Sequence, residues 1–335
     1  MNNIIFLTGN IKKGKCGVCD YTFRLYEKLK SESQFSLQMV NVKDFRLKML
    51  LKTDLIIINY PCPDYGRSIL PLFYVIIARL LGKKIIYVMH ELTYVKFLRK
   101  TVIKSFLIFA SRIVSVTNEE IKRLPMKLRK KAKYIPIASN ITPKEGIDSI
   151  KGYTVFTYFG VFYPAKEIER IIRAAYLYKK NNRNFKIRLI GARHPNHSDY
   201  IDSLKKMITK YKLKNEIEWY IDCPEYKVAN LLNSTDIALL FYNEGVTLRR
   251  GSFLTSLENC IPVITNKGVD TPDSLLDYES IIFAESDKNI ALQMENVSNN
   301  LSHYKKVALK TKKSLGLFTW NEISESYIKL INEVN

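Results

Sequence analysis

Between Asp236 and Thr265 an apolar stretch (residues 237–240) leads into Glu244-Gly245-Val246-Thr247, then Arg249 and Arg250, a helical stretch, and a second apolar run opening at Pro262. That order has a chemistry. A helix N-terminus presents unpaired backbone N–H groups, a glycine lets a ligand approach them closely, and guanidinium groups pair two-pronged with diphosphate oxygens. The segment is therefore a candidate phosphate cradle. The plainer alternative is a strand–helix–strand unit whose arginine pair is merely solvated. Cys16 and Cys19 have the spacing of half a zinc site, but no second pair or nearby histidine completes it. No Asp-x-Asp pair stands ready for a divalent metal.

Such a cradle needs a sheet behind it. Short β-rich apolar runs alternate with amphipathic helical stretches along the chain, the pattern of parallel sheets flanked by helices. Strands are expected at residues 4–7, 37–41, 55–59, 84–88, 113–116 and 134–136, with helices at 20–31, 68–81, 95–111 and 118–123. Polar sequence with Gly and Pro interrupts this rhythm at 140–153, and the rhythm then restarts. Further strands are expected at 154–159, 185–190, 216–220, 237–240, 262–265 and 280–283, with helices at 165–178, 198–211, 225–234 and 252–259. The architecture is thus α/β: two doubly wound, Rossmann-like domains, expected to face a cleft. Open sheets of this kind bind ligands beyond the carboxyl ends of their strands. The turns at 9–17, 59–66, 90–91, 160–166, 191–193 and 243–251 are the places to look.

The chain has 335 residues, twice a typical domain length, and a net charge of +21. Residues 1–150 hold 27 basic and 11 acidic residues, residues 151–335 hold 26 and 21. Asymmetry of that size points the N-terminal half toward something anionic, or else reflects lysine-rich solvated surfaces. Five unevenly spaced cysteines fit a reducing compartment better than a disulfide framework. The N-terminus opens on a strand rather than a signal peptide. The longest apolar run, 69–81, is too short to cross a bilayer and reads as a buried helix.

Taken in order, these motifs resemble those of retaining GT-B glycosyltransferases of the large GT4-like group, over nearly the whole chain. The 236–265 segment is similar to that family's nucleotide-sugar segment. Lys13-Gly14-Lys15-Cys16-Gly17-Val18 resembles its donor loop, and Tyr87-Val88-Met89-His90-Glu91 its strand ending in a cleft histidine. Ile113–Thr117 and Tyr134–Ile137 occupy the places of later strands of the first domain. Phe159-Gly160-Val161-Phe162-Tyr163-Pro164-Ala165-Lys166 is similar to the start of the donor domain, and Phe318-Thr319-Trp320 to the segment crossing back. The departures are specific. Aligned on Pro262, Thr247 and Thr255 stand where the family usually carries two glutamates, leaving Glu258, one helical turn beyond Thr255, as a partial substitute. Cys16 replaces the first glycine of the donor loop.

The resemblance implies a domain of residues 1–148, joined by a helix at 321–335, and a nucleotide-sugar domain of residues 149–320. It implies transfer of a sugar from a nucleotide-diphosphate sugar with retention of configuration and without a metal or cofactor, in surface polysaccharide assembly. UDP is favoured over GDP. Lys166, with Arg249 or Arg250 and the backbone of 245–247, would neutralise the leaving diphosphate, and His90 would hydrogen-bond the transferred sugar. Gly17, Gly160, Gly245, Val246, Thr247, Arg250 and Glu258 would contact the nucleotide-sugar. Basic residues interleaved with Phe97, Phe106 and Phe109 along 95–112 suit an anionic membrane surface. The expected setting is cytoplasmic, peripheral at the inner membrane face, with a glycan or lipid-linked acceptor. A catalytically degenerate partner subunit of the same fold is the alternative. A nucleic-acid binder lacks its motifs, and an oxidoreductase lacks Gly-x-Gly-x-x-Gly.

Overall fold

The computed structural model describes residues 3–9, 17–32, 35–60, 62, 65, 68–90, 92, 97–144, 152–180 and 184–334. The expectations placed on residues 13–16, on Glu91, on 95–96 and on 145–151 lie outside the described residues, as does the side chain of Phe97. The chain divides into two compact units, Met1–Ala138 with Phe318–Asn335, and Ser139–Leu317.

In the first unit six parallel strands, β1 (Asn3–Thr8), β2 (Ser36–Asn41), β3 (Leu55–Asn59), β4 (Lys84–Met89), β5 (Arg112–Ser115) and β6 (Ala132–Tyr134), lie in the order β2-β1-β3-β4-β5-β6. The helices are α1 (Gly17–Glu32), α2 (Leu70–Leu80), α3 (Phe97–Leu107), α4 (Asn118–Lys122) and α5 (Met126–Arg129). Parallel central strands are covered on both faces, which is why β3 and β4 are continuous apolar runs with every residue from Ile56 to Ile58 and Ile85 to Val88 at 0% exposure. One face packs against α2 and α3 through Leu72, Val75, Ile103 and Leu107.

The second unit repeats the plan. Strands β7 (Thr154–Phe159), β8 (Phe185–Gly191), β9 (Ile217–Ile221), β10 (Ile237–Leu240), β11 (Val263–Thr265) and β12 (Ile281–Phe283) are all parallel, in the order β12-β11-β10-β7-β8-β9. Helices α6 (Ile168–Lys179), α7 (Tyr200–Lys210), α8 (Glu225–Asn233), α9 (Gly251–Glu258), α10 (Asp287–Asn299) and α11 (Leu301–Leu315) flank them. The strand order reverses between β7 and β10, so the turns leaving those two neighbours diverge and open a crevice at their carboxyl ends. The chain then returns to the first unit as α12 (Trp320–Val334), which packs beside α1. Ile323, Tyr327, Leu330 and Ile331 of α12 complete a core with Tyr21, Leu25, Phe6, Ile57 and Val88.

The structure departs from the sequence reading in several places. The step between units falls at Ala138 because Ser139 Oγ shares a 2.9 Å hydrogen bond with Thr255 Oγ1 and Ile141 is buried in the second core. The strand expected at 134–136 is β6, two residues earlier, in register with β5 from Ile113 and Ala132. The 69–81 run is not a buried helix. α2 buries Pro71, Leu72, Val75 and Ala78, while Ile69, Leu70, Phe73, Leu80 and Leu81 are exposed. Phe106 and Phe109, read as membrane-facing, are half-buried against the first unit's core. Finally, α10, α11 and the short α5 were not expected.

Candidate active site

The crevice of the second unit is built from the turns after β7 and β10. After β7 the chain passes Gly160 and Tyr163 into a 3-10 turn, Pro164–Lys166. Glu167 then adopts φ 47°, ψ 37° before α6 begins at Ile168. Lys166 therefore sits in the turn preceding the helix rather than in the helix expected from residue 165. Glu167 carries the left-handed conformation that a side chain rarely adopts, and Arg170 Nη1 donates to its carboxylate at 2.8 Å.

After β10 the chain continues through buried Phe241 and Tyr242 into the loop 243–250. This loop is held by its neighbour strand. Asn266, just beyond β11, accepts from Tyr242 N through Oδ1 at 2.9 Å and donates through Nδ2 to Tyr242 O at 2.8 Å. A side chain thus continues the ladder after the strands have ended. Asn243 N donates to Ala165 O at 3.4 Å, joining the loop to the 3-10 turn. Gly245, at φ 83°, lies so close to Gly268 that a Cβ there would stand 2.3 Å from the Gly268 nitrogen.

Two cations converge on one ring. Lys166 Nζ lies 4.4 Å from the Tyr242 ring centroid and Arg250 Cζ lies 5.0 Å from it. Arg250 also pairs with Glu244, and Tyr242 Oη shares a 2.8 Å hydrogen bond with Ser252 in the first turn of α9. Gly160 comes in from β7, with an added Cβ 4.0 Å from that of Ser252. Lys166 has its pKa pushed down to about 7, chiefly by burial, and further by the Arg250 charge; Glu244 opposes this. The first-turn N–H groups of α9 and its positive dipole end complete a group suited to an anion. The ring of Tyr163, 5.7 Å from Lys166 Nζ, also lies against His194 and His197 at 5.2 Å and 6.3 Å.

Not every expected residue joins this group. Adjacent arginines diverge. Arg250 caps α9 in extended conformation and reaches Tyr242, whereas Arg249 is buried against Asp270 at 3.5 Å. Val246 is fully buried, and Thr247, at 4% exposure, has a hydroxyl with no hydrogen-bond partner among the described residues. Thr255 is bonded to Ser139. Glu258, at the far end of α9, pairs with Lys312 of α11 at 3.2 Å, so the crevice does not receive its carboxylate.

In the first unit, His90 follows β4 and its Nε2 lies 2.8 Å from Asn59 Oδ1, at the end of β3. With Nε2–H as the donor, the asparagine fixes the imidazole tautomer. Tyr21 of α1 meets the His90 ring edge-to-face at 5.0 Å. Gly17 is the exposed first residue of α1. Cys19 Sγ lies 3.7 Å from Cys62 Sγ. Among the described residues no cluster of three or more His, Cys, Asp or Glu is placed to hold a metal.

The sequence model of the glycosyl transferases group 1 family matches residues 127–314. The chain belongs to that family. Its fold is GT-B, as two solved structures show. HepE of Anabaena, determined with UDP and glucose, has a TM-score of 0.75 at 12% identity over 98% of this chain and 99% of its own. Sucrose-phosphate synthase of Thermosynechococcus elongatus has a TM-score of 0.77 at 14% identity over 100% and 99%. The S. aureus MnaA–UDP structure is also similar, with a TM-score of 0.66 at 12% identity over 99% and 96%. No curated protein matches the sequence. In this group 1 glycosyltransferase the sequence reading missed Tyr242, Ser252, Asn266 and Asp270 as parts of the site. Strand-end position was the available signal for Tyr242 and Asn266; pairing across the fold carries the rest.

Proposed function

We propose that the second unit binds a nucleotide-diphosphate sugar, with UDP as the favoured nucleotide, and that Lys166 and Arg250 neutralise the diphosphate as it leaves. The observation carrying this reading is the pair of cations over Tyr242 at the switch point between β7 and β10, beside the α9 N-terminus. Charge developing on the departing diphosphate is stabilised most by donors already in place within a partly dry site. The HepE structures with UDP and UDP-glucose support UDP as the nucleotide for a crevice of this fold. His90, oriented by Asn59, is proposed as the hydrogen-bond partner of the transferred sugar, the role the family resemblance gives it. Arg249 acts through Asp270 to hold the 268–271 turn against the loop.

The acceptor is proposed to be a glycan or lipid-linked sugar at an anionic cytoplasmic membrane face, in surface polysaccharide assembly, with retention at the anomeric carbon and no metal. Among the described residues no helix is long and apolar enough to cross a membrane. The test is a thermal-shift screen against UDP, GDP, ADP, TDP and CMP in EDTA. One diphosphate should raise the melting temperature, and Lys166→Ala and Arg250→Ala should each abolish the rise. A second reading, a partner subunit without catalysis, is favoured by Thr247 and Thr255, both buried, with Thr255 engaged by Ser139. It requires that no nucleotide shift the melting temperature.

A further inference from the structure

α2 is amphipathic in an unusual sense: its exposed side is apolar. Leu70, Phe73, Ile77, Leu80 and Leu81 recur at intervals of three and four, so they line one stripe along the helix. Ile69 extends it at the N-terminal end. Within this stripe Ile77 is half-buried and the others are exposed, Ile69 at 66%, Phe73 at 54% and Leu80 at 78%. The opposite side of α2 is buried on the sheet, so the stripe is not a displaced core face.

The surroundings of the stripe are basic. Lys84 N donates to Asp54 O at 3.0 Å, which sets the C-terminal end of α2 beside the end of the 3-10 turn Leu47–Lys52. Leu51, 78% exposed, belongs to that turn. Lys48 and Lys52 come from the turn, Arg79 from the end of α2, Lys83 from the turn after it and Lys84 from the start of β4. Asp44, Asp54 and Asp64 are the acids of residues 43–84, and the Asp54 carboxylate accepts from Asn3 N at 2.8 Å. Along α3, the next helix, stand half-buried Lys100 and Lys104.

We infer that the α2 stripe is the surface by which the chain docks on an anionic bilayer, its aromatic and leucine side chains entering the headgroup boundary and the flanking lysines meeting lipid phosphates. Charge decides between occupants. A second copy of the chain would bring together two halves that each carry 27 basic and 11 acidic residues in their first 150 positions, whereas an anionic surface is complementary to that excess. The inference rests on the proposed membrane-side acceptor and relocates the contact from α3, whose Phe106 and Phe109 pack inward, to α2.

The test is flotation of the full chain with vesicles of phosphatidylglycerol in phosphatidylcholine and with phosphatidylcholine alone. The wild type is expected to float with the anionic vesicles only. Phe73→Ser with Leu80→Ser, and separately Lys83→Glu with Lys84→Glu, should each reduce partitioning by about ten-fold or more. All four positions lie outside the nucleotide site, and a melting curve and the nucleotide-induced shift of each variant report that fold and site persist. A wild type that stays at the bottom of the gradient overturns the docking, and so do variants that float undiminished. So does a wild-type dimer that Phe73→Ser with Leu80→Ser converts to monomer, since a second copy would then cover the stripe. Vesicle binding without any nucleotide shift sinks the transferase reading and leaves the docking standing; the reverse result sinks the docking alone.

Discussion

Lys166 is the residue whose environment makes the sharpest demand. Its ammonium is disfavoured by burial and by the neighbouring Arg250 charge, and the pKa is lowered to about 7 from the ordinary 10.5. A bound diphosphate reverses that preference. Nucleotide binding at pH 8 should therefore take up a proton, visible as a binding enthalpy that varies with the ionisation heat of the buffer, and affinity should fall as pH rises above 7. The sign for stability runs the other way. Between pH 7 and 10.5 the unfolded chain binds more protons at this site than the folded one, so the stability of the empty protein gains with pH across that window. Below it the ammonium is charged in both states and the penalty is fully present. Lys166→Met should accordingly raise the melting temperature of the empty protein at pH 6, by about 2–4 °C per kcal/mol relieved. The same variant should lose nucleotide affinity by roughly 10–150-fold, the worth of one charge-assisted contact. A variant that lowers both quantities would show that Lys166 supports the fold instead. Asn266 makes the opposite kind of contribution. Asn266→Ala would leave Tyr242 N and O buried without partners, costing about 1–3 kcal/mol for each and loosening the ring on which both cations rest. A lowered melting point together with a weaker nucleotide shift is the expected result.

At the level of elements, the crevice depends on how tightly two turns cross. Gly245→Ala would place a methyl 2.3 Å from the backbone nitrogen of Gly268, at a φ of 83° that alanine resists, and neither backbone segment is free to give. The substitution should cost upwards of about 1–3 kcal/mol and abolish the nucleotide shift, read by melting with and without UDP. The same crossing explains what could be read from sequence. Both sheets were legible because their inner strands are apolar on both faces, as in Ile56-Ile57-Ile58, and because glycine ends several of them. The loop 244–250 was legible as a phosphate cradle. What it does with its two arginines was not, since Arg249 and Arg250 are equivalent in sequence, yet one is buried against Asp270 and the other reaches Tyr242. Asn266 acts on a residue 24 positions earlier, and Glu258 is captured by Lys312, 54 positions later; no local pattern records either. Helix α10 was missed because its buried side is only Ile290, Met294 and Val297, with Leu292 exposed among polar residues. The apolar run of α2 misled for a physical reason as well: hydrophobicity marks a wish to leave water, and it does not say for what.

For the whole molecule, the second unit is an insertion in the first, entered at Ser139 and left at Leu317. α12 supplies the first unit with Ile323, Tyr327, Leu330, Ile331 and Val334, and the buried hydroxyls of Tyr21 and Tyr327 meet at 3.0 Å. Leu330→Ala should cost about 2–5 kcal/mol within that unit. Calorimetry should show the loss in the transition that UDP does not move, with the UDP-sensitive transition unchanged. This arrangement also dictates an order of events during synthesis. Residues 139–317 leave the ribosome ahead of α12, so the inserted unit is the first to have every strand and helix it needs. The unit begun first still presents Leu25, Ile57 and Val88 to water, and it must wait on the ribosome for its last helix while its neighbour is already finished.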